Sequence, residues 1–226
     1  MKITAKRTFL EQFPLFNYLT DGEKAELADL AEHRTIARHQ YIYQAGEPSS
    51  TVYFLLRGTV KAGTHSHDGK EVIKSLIHPL AMFGELGLIG EQKRKDFAQV
   101  LKEDVQVLCI QVKDFQRMMR ANYDLCNRVM MLFGSRLMQA EEKLESLIFK
   151  DARTRIIEFI RNAVTERGKR IGYEFLLKHS LTHQDIASIT CTSRQTVTLV
   201  LNELKKSDLI HFNRGRILVR DMAQLR

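Results

Sequence analysis

The fold is decided by residues 182–206, Thr182-His-Gln-Asp-Ile-Ala-Ser-Ile-Thr-Cys-Thr-Ser-Arg-Gln-Thr-Val-Thr-Leu-Val-Leu-Asn-Glu-Leu-Lys-Lys206. Thr182 is a good helix cap, and Asp185, three residues later, can help to satisfy the free backbone amides. The helical spacing of apolar residues stops at Thr190-Cys-Thr-Ser193 and then resumes. The second segment places four apolar side chains on one helical face: Val197, Val200, Leu201 and Leu204. The pattern predicts two short helices joined by a tight turn.

The second helix is expected to begin near Ser193 and to expose polar side chains in its first turn. Arg194, Gln195 and Thr198 can all hydrogen-bond the edges of bases. Two short helices joined in this way are typical of a helix-turn-helix, whose second helix enters the DNA major groove by its N-terminal end. The sequence therefore predicts a DNA-binding module.

A β-hairpin is predicted directly after this module. Leu209–Phe212 and Arg216–Val219 flank the turn residues Asn213-Arg-Gly215. Such a hairpin would be the wing of a winged helix-turn-helix. Arg214 and Arg216 at its tip would contact phosphates, which position a protein on DNA without reading its sequence.

Positive charge is concentrated in the same part of the chain. Residues 150–226 contain 15 Lys/Arg and 8 Asp/Glu, whereas residues 1–149 contain 20 and 19. Nearly all of the net charge of +8 therefore lies with the predicted helix-turn-helix. A phosphate backbone attracts such a module whatever its sequence. The regular apolar spacing between these charges indicates a folded domain and not a solubilising tail.

Composition excludes several classes of protein. The 226 residues are enough for two small domains, and 44% hydrophobic with 27% charged residues is typical of a globular protein. No run of about 18 apolar residues predicts a membrane span, and the N-terminus has no apolar stretch typical of secretion. Three cysteines, Cys109, Cys126 and Cys191, are widely spaced. They indicate reduced thiols and a cytoplasmic protein.

The first half of the chain changes from a helical to a strand pattern. Residues 9–32 are expected to be helical. From about residue 36 to 112, short β-branched and aromatic runs such as Thr51–Leu56 and Val105–Val112 alternate with turn signals. His67-Asp-Gly-Lys70 is a good hairpin signal. These features predict an antiparallel barrel or roll.

Residues 114–148 predict one long helix whose only weak point is Gly134. One apolar stripe repeats at alternating intervals of four and three residues: Cys126, Met130, Phe133, Leu137, Ala140, Leu144 and Leu147. This repeat is typical of two helices that pair along a seam, so the stripe is a candidate dimer interface. A second stripe is expected to lie on the roll: Phe115, Met119, Val129 and Leu132. An ordinary core helix is the alternative.

The predicted fold class is therefore α+β, with three parts. Residues 1–113 would form a β-roll sensor domain with N-terminal helices. Residues 114–149 would form the dimerisation helix, with a hinge near Phe149-Lys-Asp151. Residues 150–226 would form the winged helix-turn-helix DNA-binding domain.

Three motifs in this order resemble the Crp/Fnr family of bacterial transcription regulators. Phe83–Leu88 is similar to the start of the family's phosphate-binding cassette, Phe149–Ile156 to its hinge and next helix, and Thr192–Val197 to the start of its recognition helix. The resemblance covers about residues 9 to 220. It implies a cyclic-nucleotide-binding-like β-roll, a homodimer, a near-palindromic operator in double-stranded DNA, and RNA polymerase as a partner.

The resemblance also assigns a ligand site, which departs from the family pattern. The resemblance to members that bind cyclic nucleotides implies that Gly84, Glu85 and Leu86 of this chain would contact the phosphate and the ribose. An Arg-Ser pair is expected eleven positions after the glycine, but Lys95 and Asp96 stand there. Lysine cannot reproduce the bidentate fork of arginine, and Asp96 would bring negative charge beside a phosphate.

Two further positions weaken the expectation of a cyclic nucleotide. Arg94 could replace the missing arginine if the loop shifts by one residue. The two hydroxyl residues that face adenine in the family are replaced by Ala140 and Glu141. Because unpaired buried polar groups penalise a mismatched ligand, cyclic AMP is disfavoured and the effector stays unidentified. A vestigial pocket in a ligand-independent regulator is an alternative.

Other cofactors of the family find little support. Iron–sulfur members use an N-terminal cysteine cluster, and residues 1–30 contain no cysteine. No pair stands out as haem ligands among the chemically suitable residues: His33, His39, His78, Met82 and Cys109.

His65-Ser-His67 with Glu71 suggests a rival function. Two histidines and a carboxylate resemble half of the metal motif of cupins, which would make the chain a metal-dependent enzyme with a DNA-binding tail. The same residues lie at a predicted hairpin tip, where side chains face water. We therefore predict no metal site and no enzyme activity.

The predicted DNA contacts also depart from the family in places. Arg194 matches the family arginine that contacts guanine. Gln195 replaces a glutamate and could read adenine or cap Thr192, and Leu199 replaces a second arginine. The candidate contacts are Thr182, Ser193, Arg194, Gln195, Thr196, Thr198, Leu199, Arg214 and Arg216. Cys191 replaces a turn glycine, which costs about 1 kcal/mol in a left-handed conformation; a redox switch is the alternative.

Overall fold

The computed structural model describes residues 3–213 and 215–225, with side chains from residue 6 onward. The chain forms two compact units. The first contains the residues up to Asp68 together with Lys74–Met138. The second contains Gly69–Ile73 and the residues from Gln139 onward. No helix among the described residues is long and apolar enough to cross a membrane.

The N-terminal segment is helical but broken. α1 (Ile3–Leu10) and α2 (Asp21–Leu30) flank a short 3₁₀ helix at Pro14–Phe16. The Thr20 side chain caps α2 by accepting a hydrogen bond from the Glu23 amide. The Glu23 carboxylate accepts one from the Thr20 amide, and the two bonds form a capping box. The helical stretch expected over residues 9–32 is thus interrupted, because Pro14 begins a new turn and Thr20 caps another helix.

Two four-stranded antiparallel sheets form the roll, as the sequence predicts. The strands are β1 (Glu32–Ile36), β2 (Tyr41–Tyr43), β3 (Thr51–Arg57), β4 (Val60–His65), β5 (Glu71–Ile77), β6 (Met82–Phe83), β7 (Phe97–Val100) and β8 (Val105–Gln111). One sheet has the order β1-β8-β3-β6 and the other β2-β7-β4-β5. The predicted hairpin turn joins β4 to β5, and Gly69 in it has a positive φ of 79°.

Apolar side chains of the first unit form two cores. One lies between the N-terminal helices, β3, β8 and the following helices, and contains an aromatic cluster of Phe13, Phe16, Phe54 and Phe115. The other lies inside the roll and includes Tyr43, Tyr53 and Phe83, whose rings stack. Phe83 in the second core directly precedes the Gly84-Glu85-Leu86 element.

The predicted long helix is two helices. α3 (Val112–Ala121) and α4 (Tyr123–Phe149) are separated by Asn122, whose backbone is extended. The Asn122 side chain accepts a hydrogen bond from the amide of Leu125 at 2.9 Å, as a capping residue does. The expectation of an unbroken helix over residues 114–148 is therefore wrong, and α4 alone is the long helix.

The second stripe packs as expected: Phe115 and Val129 are buried, and Met119 and Leu132 pack partly against the same core. Most of the seam stripe is exposed in the single chain, including Met130, Leu137 and Leu144, with 56%, 61% and 58% exposure. Cys126 and Phe133 are the exceptions, since Cys126 is half-buried and Phe133 packs partly against the core. An exposed apolar stripe of this length is unusual for a surface that faces only water.

The second unit is a helical module with a small sheet. Its further elements are α5 (Ala152–Arg167), β9 (Lys169–Ile171), β10 (Glu174–Lys178), α6 (His183–Thr190), α7 (Arg194–Lys206), β11 (Ile210–Asn213) and β12 (Arg216–Val219). The sheet order is β11-β12-β10-β9. Asp151 caps α5. β11 and β12 pair antiparallel as the predicted wing; Arg214 at its tip lies outside the described residues.

Candidate nucleic-acid interface and sensor site

α6 and α7 form the predicted helix-turn-helix. Thr182 caps α6, and Asp185 completes the capping box. Cys191 ends α6 in the left-handed region with φ 51° and ψ 51°. A non-glycine residue there is strained, which agrees with the expectation for this turn. Ser193 then caps α7 by accepting from the amide of Thr196 at 3.0 Å.

Arg155 on α5 is hydrogen-bonded to the turn between α6 and α7. Its guanidinium donates to the carbonyl oxygens of Thr190 at 3.0 Å and Cys191 at 3.3 Å. It also donates to the carbonyl of Lys150 at 2.6 Å. The last carbonyls of a helix lack intrahelical partners, so one planar side chain satisfies them and joins the turn to the residue after α4.

The first turn of α7 presents exposed side chains. Arg194 and Gln195 are exposed, and Leu199 is 71% exposed. The described residues offer no hydrogen-bond or ion-pair partner to the Arg194 guanidinium, so it is available to an external acceptor. Because Ser193 is the cap, the alternative in which Gln195 caps Thr192 is wrong, and the Gln195 amide faces solvent.

Thr198 is more constrained than its sequence position indicates. Its hydroxyl donates to the carbonyl of Arg194 at 2.9 Å, and its oxygen lies 2.9 Å from Nδ1 of His183 on α6. A threonine hydroxyl has one hydrogen and two lone pairs. Thr198 can therefore accept one more hydrogen bond, for example from a base, but cannot donate one while this chain of bonds persists.

The other predicted contacts lie on the same unit. Thr182 and Arg216 are exposed, whereas Thr196 is half-buried, and its hydroxyl is hydrogen-bonded to that of Ser193 at 2.8 Å. The pKa of His183 is lowered by burial and by the neighbouring Arg194 cation. The Arg194 cation is therefore close enough to His183 to disfavour its protonated form.

In the roll, the Gly-Glu-Leu element has a structural explanation of its own. Gly84 has a left-handed φ of 68°, and a Cβ there would come within 3.0 Å of the Arg94 guanidinium. A Cβ on Gly87 would lie 2.2 Å from the carbonyl oxygen of Ser49. Both positions therefore require glycine for the turn and the packing around it.

Arg94 points inward and is only 3% exposed. Its guanidinium donates to the carbonyls of Gly84 at 2.7 Å and of Thr51, and it lies 4.3 Å from the ring centroid of Tyr43. Its Nε is buried without a hydrogen-bond partner among the described residues. Arg94, and not Lys95, therefore lies beside Gly84.

Glu85 is buried beside Arg94 and is paired with a residue that the sequence did not single out. The Arg136 guanidinium forms an ion pair with the Glu85 carboxylate and donates to the carbonyl of Met82 at 2.6 Å. Burial raises the pKa of Glu85, while the Arg136 and Arg94 cations oppose that rise. The acid assigned to ribose thus already has a partner within the chain.

The remaining predicted ligand residues differ in their surroundings. Lys95 is exposed, and Leu86 is 36% exposed. Asp96 is mostly buried, with burial raising its pKa, and its carboxylate lies 3.9 Å from Lys74. Ala140 and Glu141 are exposed on the part of α4 that belongs to the other unit. Within the first unit the structure brings Gly84, Glu85 and Arg94 together, with Asp96 close enough to interact electrostatically with Glu85 and Arg94.

The residues considered as ligands for a metal or haem are surrounded by groups that do not form such a site. The His65 ring stacks on Phe97 with centroids 4.7 Å apart, and His67 is exposed in the turn. Within the part of the chain that the structure describes, no three His, Cys, Asp or Glu side chains form a metal-binding group. Burial raises the pKa of the Cys109 thiol to about 12, which keeps it protonated and a poor metal ligand.

Two family models match separate parts of the chain. Residues 33–122 match the cyclic nucleotide-binding domain, and residues 154–226 match the Crp-like helix-turn-helix domain. Together they cover well over half of the chain, in the order that the structure shows. The chain belongs to the Crp/Fnr family.

Several Crp/Fnr proteins are similar along most of their length. The Global nitrogen regulator of Nostoc sp. is 27% identical over 186 residues, 82% of this chain and 83% of that protein. The cAMP-activated global transcriptional regulator CRP of Salmonella typhimurium is 28% identical over 187 residues, 83% and 88% of the two chains. The structure of a CooA mutant from Carboxydothermus hydrogenoformans matches with a TM-score of 0.79 and 22% identity, over 96% of this chain and 93% of that one.

The chain is thus a DNA-binding transcription regulator of the Crp/Fnr type. Sequence reasoning missed three residues that organise its sites: Arg136, Arg155 and His183. Each acts on a partner distant in sequence, which local patterns do not reveal. The local signals were an arginine inside the segment predicted to dimerise and a histidine directly after the cap Thr182.

Proposed function

We propose that this chain works as a homodimer that binds a near-palindromic operator through Arg194 and the other exposed residues of α7. The observation that carries the proposal is the exposed Arg194 in the first turn of a capped helix, without an ion-pair partner among the described residues. It lies within the segment that holds +7 of the net charge. A helix N-terminus in this position is suited to the major groove, and arginine pairs bidentately with guanine.

Dimerisation would come from the seam stripe of α4. Exposed Met130, Leu137 and Leu144 follow the 3.5-residue repeat, so a second copy of α4 would bury them. Pairing of this kind would set two recognition helices about 34 Å apart, one turn of DNA. A promoter-bound dimer would also meet RNA polymerase, and the protein would act in the cytoplasm.

A signal at the β-roll would act by changing how the α4 helices meet and so how the DNA-binding domains are aimed. We propose that this signal is not cyclic AMP. Glu85 is already paired with Arg136, Arg94 is committed to two carbonyls, and Asp96 adds negative charge where a phosphate would lie. The hydroxyls that would read adenine are absent at Ala140 and Glu141.

Selection of duplexes from a randomised DNA pool tests the DNA-binding part. The purified full-length protein should enrich one near-palindromic sequence with a guanine in each half-site. Recovery of no common sequence would overturn the proposal of sequence-specific reading. The enriched duplex, called the selected duplex below, then serves as the specific probe.

Calorimetric titration with cyclic AMP and cyclic GMP tests the sensor part. We expect no binding heat and no change in affinity for the selected duplex. Micromolar binding coupled to tighter DNA association would contradict the proposal.

A ligand-independent regulator is the second candidate. It is favoured by the internal partners of two site residues, since Arg136 pairs with the Glu85 carboxylate and Arg94 donates to the carbonyls of Gly84 and Thr51. Equal affinity for the selected duplex with and without small-molecule cell extract would support this candidate over an effector-controlled protein.

A further inference from the structure

His183 connects the two helices of the DNA-binding module on their exposed side. It is the first residue of α6, directly after the cap Thr182, and its Nδ1 lies 2.9 Å from the Thr198 hydroxyl on α7. Its ring also contacts Phe212 of β11 edge-on, with centroids 5.9 Å apart. One half-buried side chain thus meets the recognition helix and the wing.

The direction of the hydrogen bond follows from the hydroxyl's single hydrogen. Thr198 uses that hydrogen to donate to the carbonyl of Arg194. While Thr198 donates in this way, the contact with His183 runs from Nδ1–H to the Thr198 oxygen. In this arrangement the ring carries a hydrogen on Nδ1, whether it is neutral or protonated.

We infer that His183 is a positioning residue for DNA recognition, which holds Thr198 and the Arg194 turn of α7 in the orientation that reads bases. The inference rests on the proposed reading of DNA by α7 and adds a residue that acts through Thr198.

The physical need for such a residue lies in the packing of α6 against α7. Ile186 and Ala187 of α6 and Val197 and Leu201 of α7 are buried. Hydrophobic contacts of this kind are not directional, so they resist small rotations of a helix about its axis only weakly. A hydrogen bond has a preferred angle and length, and therefore fixes the rotation.

The bond also selects one conformation of Thr198. Threonine in a helix divides between two side-chain rotamers, one of which bonds the carbonyl four residues earlier. Donation from His183 stabilises that rotamer, in which the Thr198 oxygen stays at the Arg194 carbonyl. The first turn of α7, which carries the exposed Arg194 and Gln195, is thereby held in one arrangement.

The experiment compares affinities of full-length variants for the selected duplex and for a scrambled duplex of the same composition. His183→Ala should weaken binding to the selected duplex about fivefold, the value of one ordinary hydrogen bond, and should leave the scrambled duplex unchanged. His183→Asn should restore most of the loss, because its amide nitrogen can donate from nearly the place of Nδ1. His67→Ala, at an exposed histidine of the sensor domain, serves as the control and should change neither affinity.

A double-mutant cycle with Thr198→Val completes the test. The two changes should be non-additive: His183→Ala should cost nothing further once the Thr198 hydroxyl is absent. An equal loss on both duplexes, or His183→Asn as weak as His183→Ala, would overturn the positioning role. Enrichment of no duplex by the wild-type protein would instead overturn the proposed function, so the two failures are distinguishable.

Discussion

Arg136 and Glu85 form an ion pair in which one partner is buried and the other reaches solvent. The Glu85 side chain is 4% exposed and the Arg136 side chain 36% exposed. The pair ties α4 to the turn after β6, since the same guanidinium also donates to the carbonyl of Met82. A buried carboxylate without its cation would have to remain charged at a large cost or take up a proton.

Arg136→Ala should therefore destabilise the protein by about 2 kcal/mol at neutral pH, less than for a fully buried pair because Arg136 is part-exposed. The loss should shrink as the pH falls, because protonated Glu85 does not need the cation. Urea unfolding at two pH values measures this. Arg117→Ala removes the ion pairs of an exposed arginine with Glu26 and Asp114 and is the control, with a change near zero. Equal losses for the two variants would contradict the importance of the buried partner.

Arg155→Lys should loosen the turn between α6 and α7. A lysine ammonium cannot reach the carbonyls of Lys150, Thr190 and Cys191 together in the planar arrangement of a guanidinium. We expect faster hydrogen exchange at the amides of residues 190–193 and a stability loss of about 1 kcal/mol. Exchange rates equal to those of the wild type would show that the three bonds do not stabilise the turn. Lys205→Arg, on the surface of α7, is a matched control for the change of cation type.

Arg194→Gln should raise the pKa of His183. Burial is the larger cause of its lowered pKa and stays in place, whereas the repulsion from the Arg194 cation disappears. The pKa should therefore move up towards the ordinary histidine value of 6.5 without reaching it. Titration of the ring by NMR measures the change. The control is Arg216→Gln, which changes a second exposed arginine of the same unit and should leave the His183 pKa unchanged. An unchanged His183 pKa in Arg194→Gln would show that the Arg194 cation does not act on the ring.

Leu137→Glu should abolish the proposed dimer. The change puts a charge at the centre of the seam stripe, where a buried unpaired carboxylate costs about 3 kcal/mol or more, a factor of roughly 100 in dimer affinity. Analytical ultracentrifugation measures the oligomeric state. Met131→Glu is the control, because Met131 is similarly exposed at 66% but lies outside the stripe. If Leu137→Glu remained a dimer, the interface would not be the seam stripe of α4.

The sequence predicted those features that depend on neighbouring residues. The capping box of Thr182 and Asp185, the strained turn at Cys191 and the β4–β5 hairpin at Gly69 all follow from local chemistry and are present. The break at Asn122 had a local signal too, since asparagine three residues before Leu125 is a normal cap. The break was not predicted because the helical spacing of apolar residues continues on both sides of Asn122.

The sites were harder to predict, because their geometry depends on distant contacts. Arg136 meets Glu85 across 51 residues, and Arg155 meets Thr190 across 35. Nothing near Arg94 in the sequence indicates that its guanidinium turns inward to the Gly84 carbonyl. Such pairs are fixed by the packing of elements against each other, which periodicity within one element does not determine.

The central claim, that α7 reads DNA sequence through Arg194, is tested most directly by Arg194→Ala on the selected and scrambled duplexes. The variant should lose about 1–3 kcal/mol on the selected duplex and little on the scrambled one. Arg216→Ala should instead weaken both duplexes alike and lower the salt dependence, as expected for a phosphate contact. An equal loss on the two duplexes in Arg194→Ala would contradict the claim that Arg194 is a base reader.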